Sequence, residues 1–317
     1  MKNMRLLVKP LVTRLLKGNL LSLLALVTVV FGVVACSEKT TQLETTKTKV
    51  VENHLHDNTP PKVSKWTKSP TVLVFSKTNE WRHNEGIAAA DLHFVRLAQK
   101  FNYGIFTTTN GAIFNDLDLK KFDVVVFNNA TGDVLSKEQE QSFERWLTNG
   151  GAWIGLHGSG DHSQKDWQWY QSTLIGPKFI GHPNNPHLQE AKVVNLAAEH
   201  PVMKGIPASW MAFDEWYSFD GVPQSYGLTP LAGVDESTYV AVLNIDEFPA
   251  KGDLRMGSKP EQHPIIWSKC IGKGRAVYSA LGHHDRVYDD KIYSQLLDNA
   301  FTWVTQINGA NSLGCEK

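Results

Sequence analysis

The chain has 317 residues, 42% of them hydrophobic and 20% charged, and Lys+Arg and Asp+Glu both number 32. That composition excludes a disordered or fibrous chain and supplies enough apolar surface for a large core. The zero charge balance leaves no basic footprint for nucleic acid, so nucleic-acid partners are not expected.

The N-terminus reads as a targeting segment, to be kept out of the fold. Lys2, Arg5, Lys9, Arg14 and Lys17 form a basic stretch, followed by an apolar run from Leu20 to Ala35. That run is shorter than the ~20 residues a membrane-spanning helix needs. Val33-Val34-Ala35 before Cys36 resembles a bacterial lipoprotein signal, with Cys36 as the acylated first residue of the mature protein. Ser37 in place of Asp then implies transfer to the outer membrane, so the expected location is the bacterial cell envelope, with a lipid anchor. Residues 37–70 are polar, include Pro60-Pro61 and show almost no apolar periodicity. They cannot offset their own ordering entropy and are expected to form a disordered tether, carrying His54 and His56 as exposed residues.

The folded domain is expected over residues 71–306, with a C-terminal tail over 307–317. Val72-Leu73-Val74-Phe75 is too short for a helix and predicts a buried parallel strand. A polar loop with Trp81, Arg82 and His83 follows, then Ile87, Ala90, Phe94, Leu97 and Phe101 at helical spacing. Asp123 to Phe127 predicts a second buried strand. Ser136 with Gln139 makes a capping box for a helix that buries Phe143, Trp146 and Leu147 and stops at Gly150-Gly151. Ala152 to Leu156 is a third strand, broken at His157 among small residues. This is the pattern of a strand–turn–helix elbow, with imidazole where a Ser or Cys nucleophile normally stands. Imidazole there points to acid–base or metal chemistry, not acyl transfer.

Beyond the elbow, Trp167, Trp169 and Tyr170 mark a helical segment, Phe179 to Pro183 a turn carrying His182, and Ala191 to Leu196 a strand. His200-Pro201 is a turn, and Phe213-Asp214-Glu215-Trp216-Tyr217 is an acid–aromatic cluster. Tyr239 to Leu243 and Pro264 to Trp267 predict short strands. Gly272-Lys273-Gly274-Arg275 predicts a hairpin turn into the strand Ala276 to Leu281, which breaks at Gly282-His283-His284. A last helix carries Ile292, Leu296, Ala300, Phe301 and Val304. Strands alternating with helices predict an α/β fold with a doubly wound parallel sheet. Loops after parallel strands converge on one edge, so His83, His157 and His283 are expected around one pocket. Cys270 and Cys315 can pair and tie down the tail.

Several absences narrow the chemistry. The sequence has no Gly-x-Gly-x-x-Gly fingerprint and no Walker loop, so no nucleotide cofactor is indicated. It has no Gly-x-Ser-x-Gly and no His-Glu-x-x-His. Imidazoles with a carboxylate are a familiar ligand set, which leaves a divalent metal such as zinc open.

Taken as an ordered set, Trp81-Arg82-His83, Gly155-Leu156-His157, Phe179-x-Gly181-His182-Pro183, His200-Pro201, Asp214-Glu215-x-Tyr217 and Leu281-Gly282-His283 resemble the ThuA-like (trehalose utilisation) family. Pro177 stands where that family often has a glycine. The resemblance implies a flavodoxin-like sheet similar to class I glutamine amidotransferases, whose elbow carries a catalytic Cys. With His157 in that place, no glutaminase activity is expected. It also implies carbohydrate metabolism, with a disaccharide or keto-sugar as the small-molecule partner.

On that footing two functions stand: a lipid-anchored sugar-active enzyme of lyase, hydrolase or isomerase type, or a non-catalytic carbohydrate-binding lipoprotein. For the enzyme, Glu215 is the expected base, its pKa raised by burial, with Asp214 as alternative. His157 and His283 polarise the carbonyl oxygen, directly or as ligands of a bound metal. Trp81, Arg82, His83, His182, Trp216 and Tyr217 are the expected substrate-binding residues.

Overall fold

The computed structural model describes residues 55–65 and 67–305. The first half of the domain alternates strand and helix: β1 (Thr71–Phe75), α1 (Asn84–Phe101), β2 (Gly104–Thr108), β3 (Val124–Asn128), α2 (Lys137–Thr148) and β4 (Ala152–Leu156). β1, β3 and β4 are buried at every residue, as strands covered on both faces must be. The capping box at Ser136 and Gln139 is formed in full at the start of α2.

The second half is mostly strand. After a short helix α3 (Gln168–Tyr170) come β5 (Phe179–Gly181), β6 (Gln189–Asn195), β7 (Ser209–Asp214), β8 (Ser218–Phe219) and β9 (Thr229–Val234). β10 (Val242–Leu243), β11 (Gly252–Asp253), β12 (Pro264–Ile271) and β13 (Gly274–Ser279) follow, then α4 (Asp285–Asp289) and α5 (Lys291–Val304). The strand predicted over Tyr239 to Leu243 shrinks to the two residues of β10, which pair only with β11.

Nine strands form one sheet in the order β2-β1-β3-β4-β13-β12-β9-β6-β7. The first five are parallel to their neighbours, and the remaining pairings are antiparallel. The sheet is therefore mixed, which corrects the expectation of a purely parallel one. Its parallel part is consistent with a flavodoxin-like arrangement. The reversal begins at the β12–β13 hairpin, where Gly272 takes a φ of +58° that a glycine adopts without strain. The register aligns Asn128, Leu156 and Ser279 at the carboxyl ends of β3, β4 and β13, so the residues that follow emerge side by side.

The segment expected as a tether is anchored from residue 55 onward. Asp57 accepts from Lys77 at 2.7 Å and from the Gly111 amide at 2.8 Å, while Gln139 donates to its carbonyl at 2.8 Å. His56 pairs with Asp133 at 2.9 Å instead of facing solvent alone. Cys36, His54 and residues 307–317 lie outside the described residues. Cys270, on β12, is disulfide-bonded, and its expected partner Cys315 also lies outside them.

His200 begins the turn at Pro201–Met203, where its Nδ1 accepts from the Val202 amide at 3.2 Å while Nε2 meets Ser268 Oγ at 3.3 Å. This needs the neutral ring. Burial, aided by the Arg275 charge, pushes its pKa down from 6.5 to about 4. Between those values the unfolded chain binds a proton that the folded chain does not. Stability is therefore full above about pH 6.5 and is lost as the pH falls toward 4. Replacing His200 by Gln should flatten the fall in denaturation midpoint over this range. An unchanged slope would rule His200 out as the group responsible.

Candidate metal centre

Each side chain of the centre arrives on a loop at the end of a strand. His83 closes the loop after β1, directly before α1, and His157 follows β4. His182 follows β5, Glu215 follows β7, and His283 stands in the loop after β13. His157 adopts a φ of +39°, an uncommon conformation for a non-glycine residue and the kind of local strain that functional sites hold. Its elbow is fastened by Asn129, whose side chain accepts from the Gly158 amide at 3.2 Å. Close approach explains two small residues. A Cβ on Gly86 would meet the Gly282 carbonyl oxygen at 2.2 Å, and one on Gly158 would meet His83 at 2.9 Å.

The centre is built on Glu215, which is 2% exposed. Its Oε2 lies 3.2 Å from His157 Nε2, and its Oε1 lies 3.3 Å from His182 Nε2 and 3.4 Å from His283 Nδ1. His187 Nε2 also contacts Oε1. The His83 ring centroid is 4.7 Å from that of His157 and 4.9 Å from that of His283. His83, His157 and His283 thus converge as the sequence predicts, and His182 joins them despite Pro177.

The acid pair divides its labour. Asp214 accepts four backbone amides: Glu215 at 3.0 Å, Gly282 at 2.6 Å, His283 at 3.1 Å and His284 at 3.2 Å. Its oxygens are spent on holding the loop after β13, so it is a positioning residue, not the alternative base expected from sequence. Glu215 departs from expectation differently. Burial raises its pKa, but the imidazoles of His157, His187, His283 and His182 gathered around it outweigh this and hold the carboxyl well below its usual range. A carboxyl shifted that way is a better ligand than a proton acceptor.

Despite this crowd, hydrogen bonding at the centre is incomplete. Glu215 Oε2 and His83 Nδ1 are buried without a hydrogen-bond partner; the 3.2 Å approach of His157 lacks the required direction. Burial, reinforced by the neighbouring His157 ring, drives the His83 pKa down to about 2, so this ring is neutral with a lone pair to offer. His157 Nδ1 donates to the Ala280 carbonyl at 2.7 Å, which leaves the lone pair on Nε2, where His283 Nδ1 approaches at 3.2 Å. One ligand atom from each of His83, His157, Glu215 and His283 lies within 4.8 Å of the others, and His182, His187 and Glu215 form a second such set. Imidazole and carboxylate donors of this kind suit zinc or a similar divalent cation.

A pocket of about 720 Å³ opens above the centre, with His83, His182, His187, Glu215 and Tyr217 among its lining residues. Phe179 and Phe248 also line it, and Trp81, 65% exposed, stands beside them. Two expected substrate-binding residues are elsewhere. Arg82 bonds Asn84 at 2.9 Å and Thr78 at 3.3 Å on the surface, outside the lining. Trp216 is wholly buried, donating to the Gln189 carbonyl at 3.0 Å.

The sequence reading missed two residues of the site. His187 follows no strand or glycine turn, and only its spacing from His182 was available as a signal. Asp161, immediately after the elbow, lines the pocket and accepts from the Ser163 amide at 2.9 Å. Burial, against hydrogen bonds from Ser163, pushes its pKa up to about 7.

Fold and site define an α/β protein with a histidine–carboxylate centre below an aromatic-walled pocket. Residues 71–304 match the family model ThuA, described as trehalose utilisation, and the chain belongs to that family. A ThuA-like protein from Bacteroides uniformis shares 25% identity over 78% of this chain and 95% of its own, with a TM-score of 0.61. One from Parabacteroides merdae shares 16% identity over 75% of this chain and 90% of its own, with a TM-score of 0.53. No curated protein matches. A Salmonella typhimurium protein, 10% identical over 74% of this chain and 99% of its own with a TM-score of 0.48, is named as cytoplasmic. No helix among the described residues is long and apolar enough to cross a membrane. The expected lipid anchor falls on residues outside those described, and the family match gives no support for an outer-membrane location, which is not carried further.

Replacing Asp214 by Asn exchanges an anion bonded to four amides for a neutral group with one acceptor oxygen. Hydrogen bonds to charged groups are worth about 1.5–3 kcal/mol each, so a loss of about 2 kcal/mol or more is expected in denaturant unfolding. A change below about 0.5 kcal/mol would show that the clamp is not needed.

Proposed function

We propose that this ThuA-family protein is a metal-assisted enzyme acting on a keto-sugar or keto-disaccharide by proton transfer next to the carbonyl. The observation that carries the reading is the buried Glu215 carboxylate, ringed by imidazoles with unspent lone pairs at the floor of an aromatic-walled pocket. The family supports a carbohydrate substrate. His83, His157, His283 and Glu215 would hold the cation, whose chemistry is to polarise a substrate carbonyl as a Lewis acid.

The remaining chemistry belongs to side chains. In a 3-keto-glycoside the C2 hydrogen is α to the carbonyl and the C1 glycosidic oxygen is β to it. Asp161, with a pKa of about 7, is the base matched to neutral pH. Its carboxylate takes the C2 proton, and the C–H electron pair forms an enolate across C2 and C3. Collapse of the enolate re-forms the carbonyl, makes a C1–C2 double bond and breaks the C1–O bond, the departing oxygen taking the proton held by Asp161 to leave as the alcohol. Return of that proton to C3 instead, with the C2 hydroxyl proton passing to the C3 oxygen, moves the carbonyl to C2, so elimination and isomerisation share the first proton transfer. Trp81, Phe179 and Phe248 offer flat apolar faces to the sugar ring.

The test is to incubate the protein with a keto-disaccharide in D₂O and follow C2. Exchange or elimination should increase as the pH rises through about 7, because Asp161 acts in its deprotonated form. In Asp161→Asn the rate should fall by about 10²–10⁴-fold and that pH limb should vanish. A metal-replete wild type that binds the sugar without exchange or turnover would overturn the enzyme in favour of a carbohydrate-binding protein.

A further inference from the structure

The two donor sets that share Glu215 differ in what faces them. His157 and His283 are absent from the lining of the pocket, whereas His182 and His187 belong to it, and the His187 side chain is 44% exposed. The first set, with four protein donors, keeps two of them off the pocket. The second has three donors and an open side.

The two sets overlap at the carboxylate. His157 faces Oε2 of Glu215, while His182 and His187 of the second set and His283 of the first face Oε1. His182 Nδ1 donates to the Pro183 carbonyl at 3.0 Å, as His157 Nδ1 donates to Ala280. Both rings are thereby fixed in the tautomer that leaves a lone pair on Nε2, which lies 3.2 Å from a carboxylate oxygen in His157 and 3.3 Å in His182. Acceptor atoms buried this close together repel unless a proton or a positive charge lies near both. A backbone carbonyl holding the far N–H is also how metal-bound histidines are oriented. A cation in the first set answers His157, His283 and Oε2 but does not engage the Nε2 of His182, 3.3 Å from Oε1, or His187 beside it.

We propose that Glu215 bridges two divalent cations, the second held by His182, His187 and Glu215 Oε1 with an open position toward the pocket. Three protein ligands with one free position is the arrangement of catalytic metal sites, and paired cations sharing a carboxylate clamp two oxygens of one reacting group. The substrate class that fits is a sugar presenting two adjacent oxygens, such as a carbonyl with a neighbouring hydroxyl. The inference rests on the first site of the proposed function, and stoichiometry separates the two.

The experiment uses the full chain equilibrated with Zn²⁺, freed of excess metal and assayed for bound zinc by mass spectrometry. Two equivalents are expected in the wild type and one in His187→Ala. Loading with Mn²⁺ gives a second readout: a spin-coupled pair signal in the wild type and an isolated-ion signal in His187→Ala. His187→Gln provides a second variant if the alanine form does not fold. One equivalent in both wild type and variant would overturn the second site and leave the first intact. No bound metal in the wild type would overturn both, and two equivalents retained in both variants would overturn the assignment of His187.

Discussion

A carboxylate taken out of water must be met by donors or by a cation, and the organisation of this site follows from how Glu215 meets that requirement. Its neighbour Asp214 meets it with backbone amides alone, four of them, and so becomes part of the scaffold. Glu215 has only imidazoles around it. At least two of those carry no proton on the nitrogen nearest the carboxylate, because their other nitrogens donate to the carbonyls of Ala280 and Pro183. Neighbours of one charge type, adjacent in sequence, thus reach opposite roles through the groups the fold brings to them.

The fold supplies this by combining two kinds of sheet edge. The carboxyl ends of β1, β4 and β13 deliver His83, His157 and His283 to one place, as parallel strands do. The antiparallel extension brings Glu215 in from β7, the far edge strand, which is separated from β13 by β12, β9 and β6. Asp214 is the tie between these halves, since its bonds run from the end of β7 to the loop after β13. A disturbance there displaces both the ligand carboxylate and His283 at once.

Much of the parallel half was legible in the sequence, because strands buried on both faces read as unbroken apolar runs and α2 carries its capping box openly. The elbow and the convergence of His83, His157 and His283 followed from placement after those strands. The antiparallel half was harder to read, because β6 and β7 alternate buried and open residues within short polar stretches. Roles that depend on tertiary partners were not legible at all. Nothing in the dipeptide Asp214-Glu215 says that one carboxylate will meet amides and the other imidazoles. Trp216 and Arg82 were read as pocket residues from proximity in sequence, whereas the backbone turns the first into the core and the second to the surface. Asp161 escaped notice because its shifted pKa comes from burial, which no local motif records.

The central claim is that the space between Glu215 and its histidines is made for a divalent cation. Anomalous diffraction from crystals grown with zinc, recorded on both sides of the zinc absorption edge, tests it most directly. The account predicts an edge-dependent peak at about 2.0–2.2 Å from a Glu215 oxygen and from the ring nitrogens of His83, His157 and His283. No such peak at saturating zinc, with those nitrogens instead hydrogen-bonded to the carboxylate or to water, would contradict it.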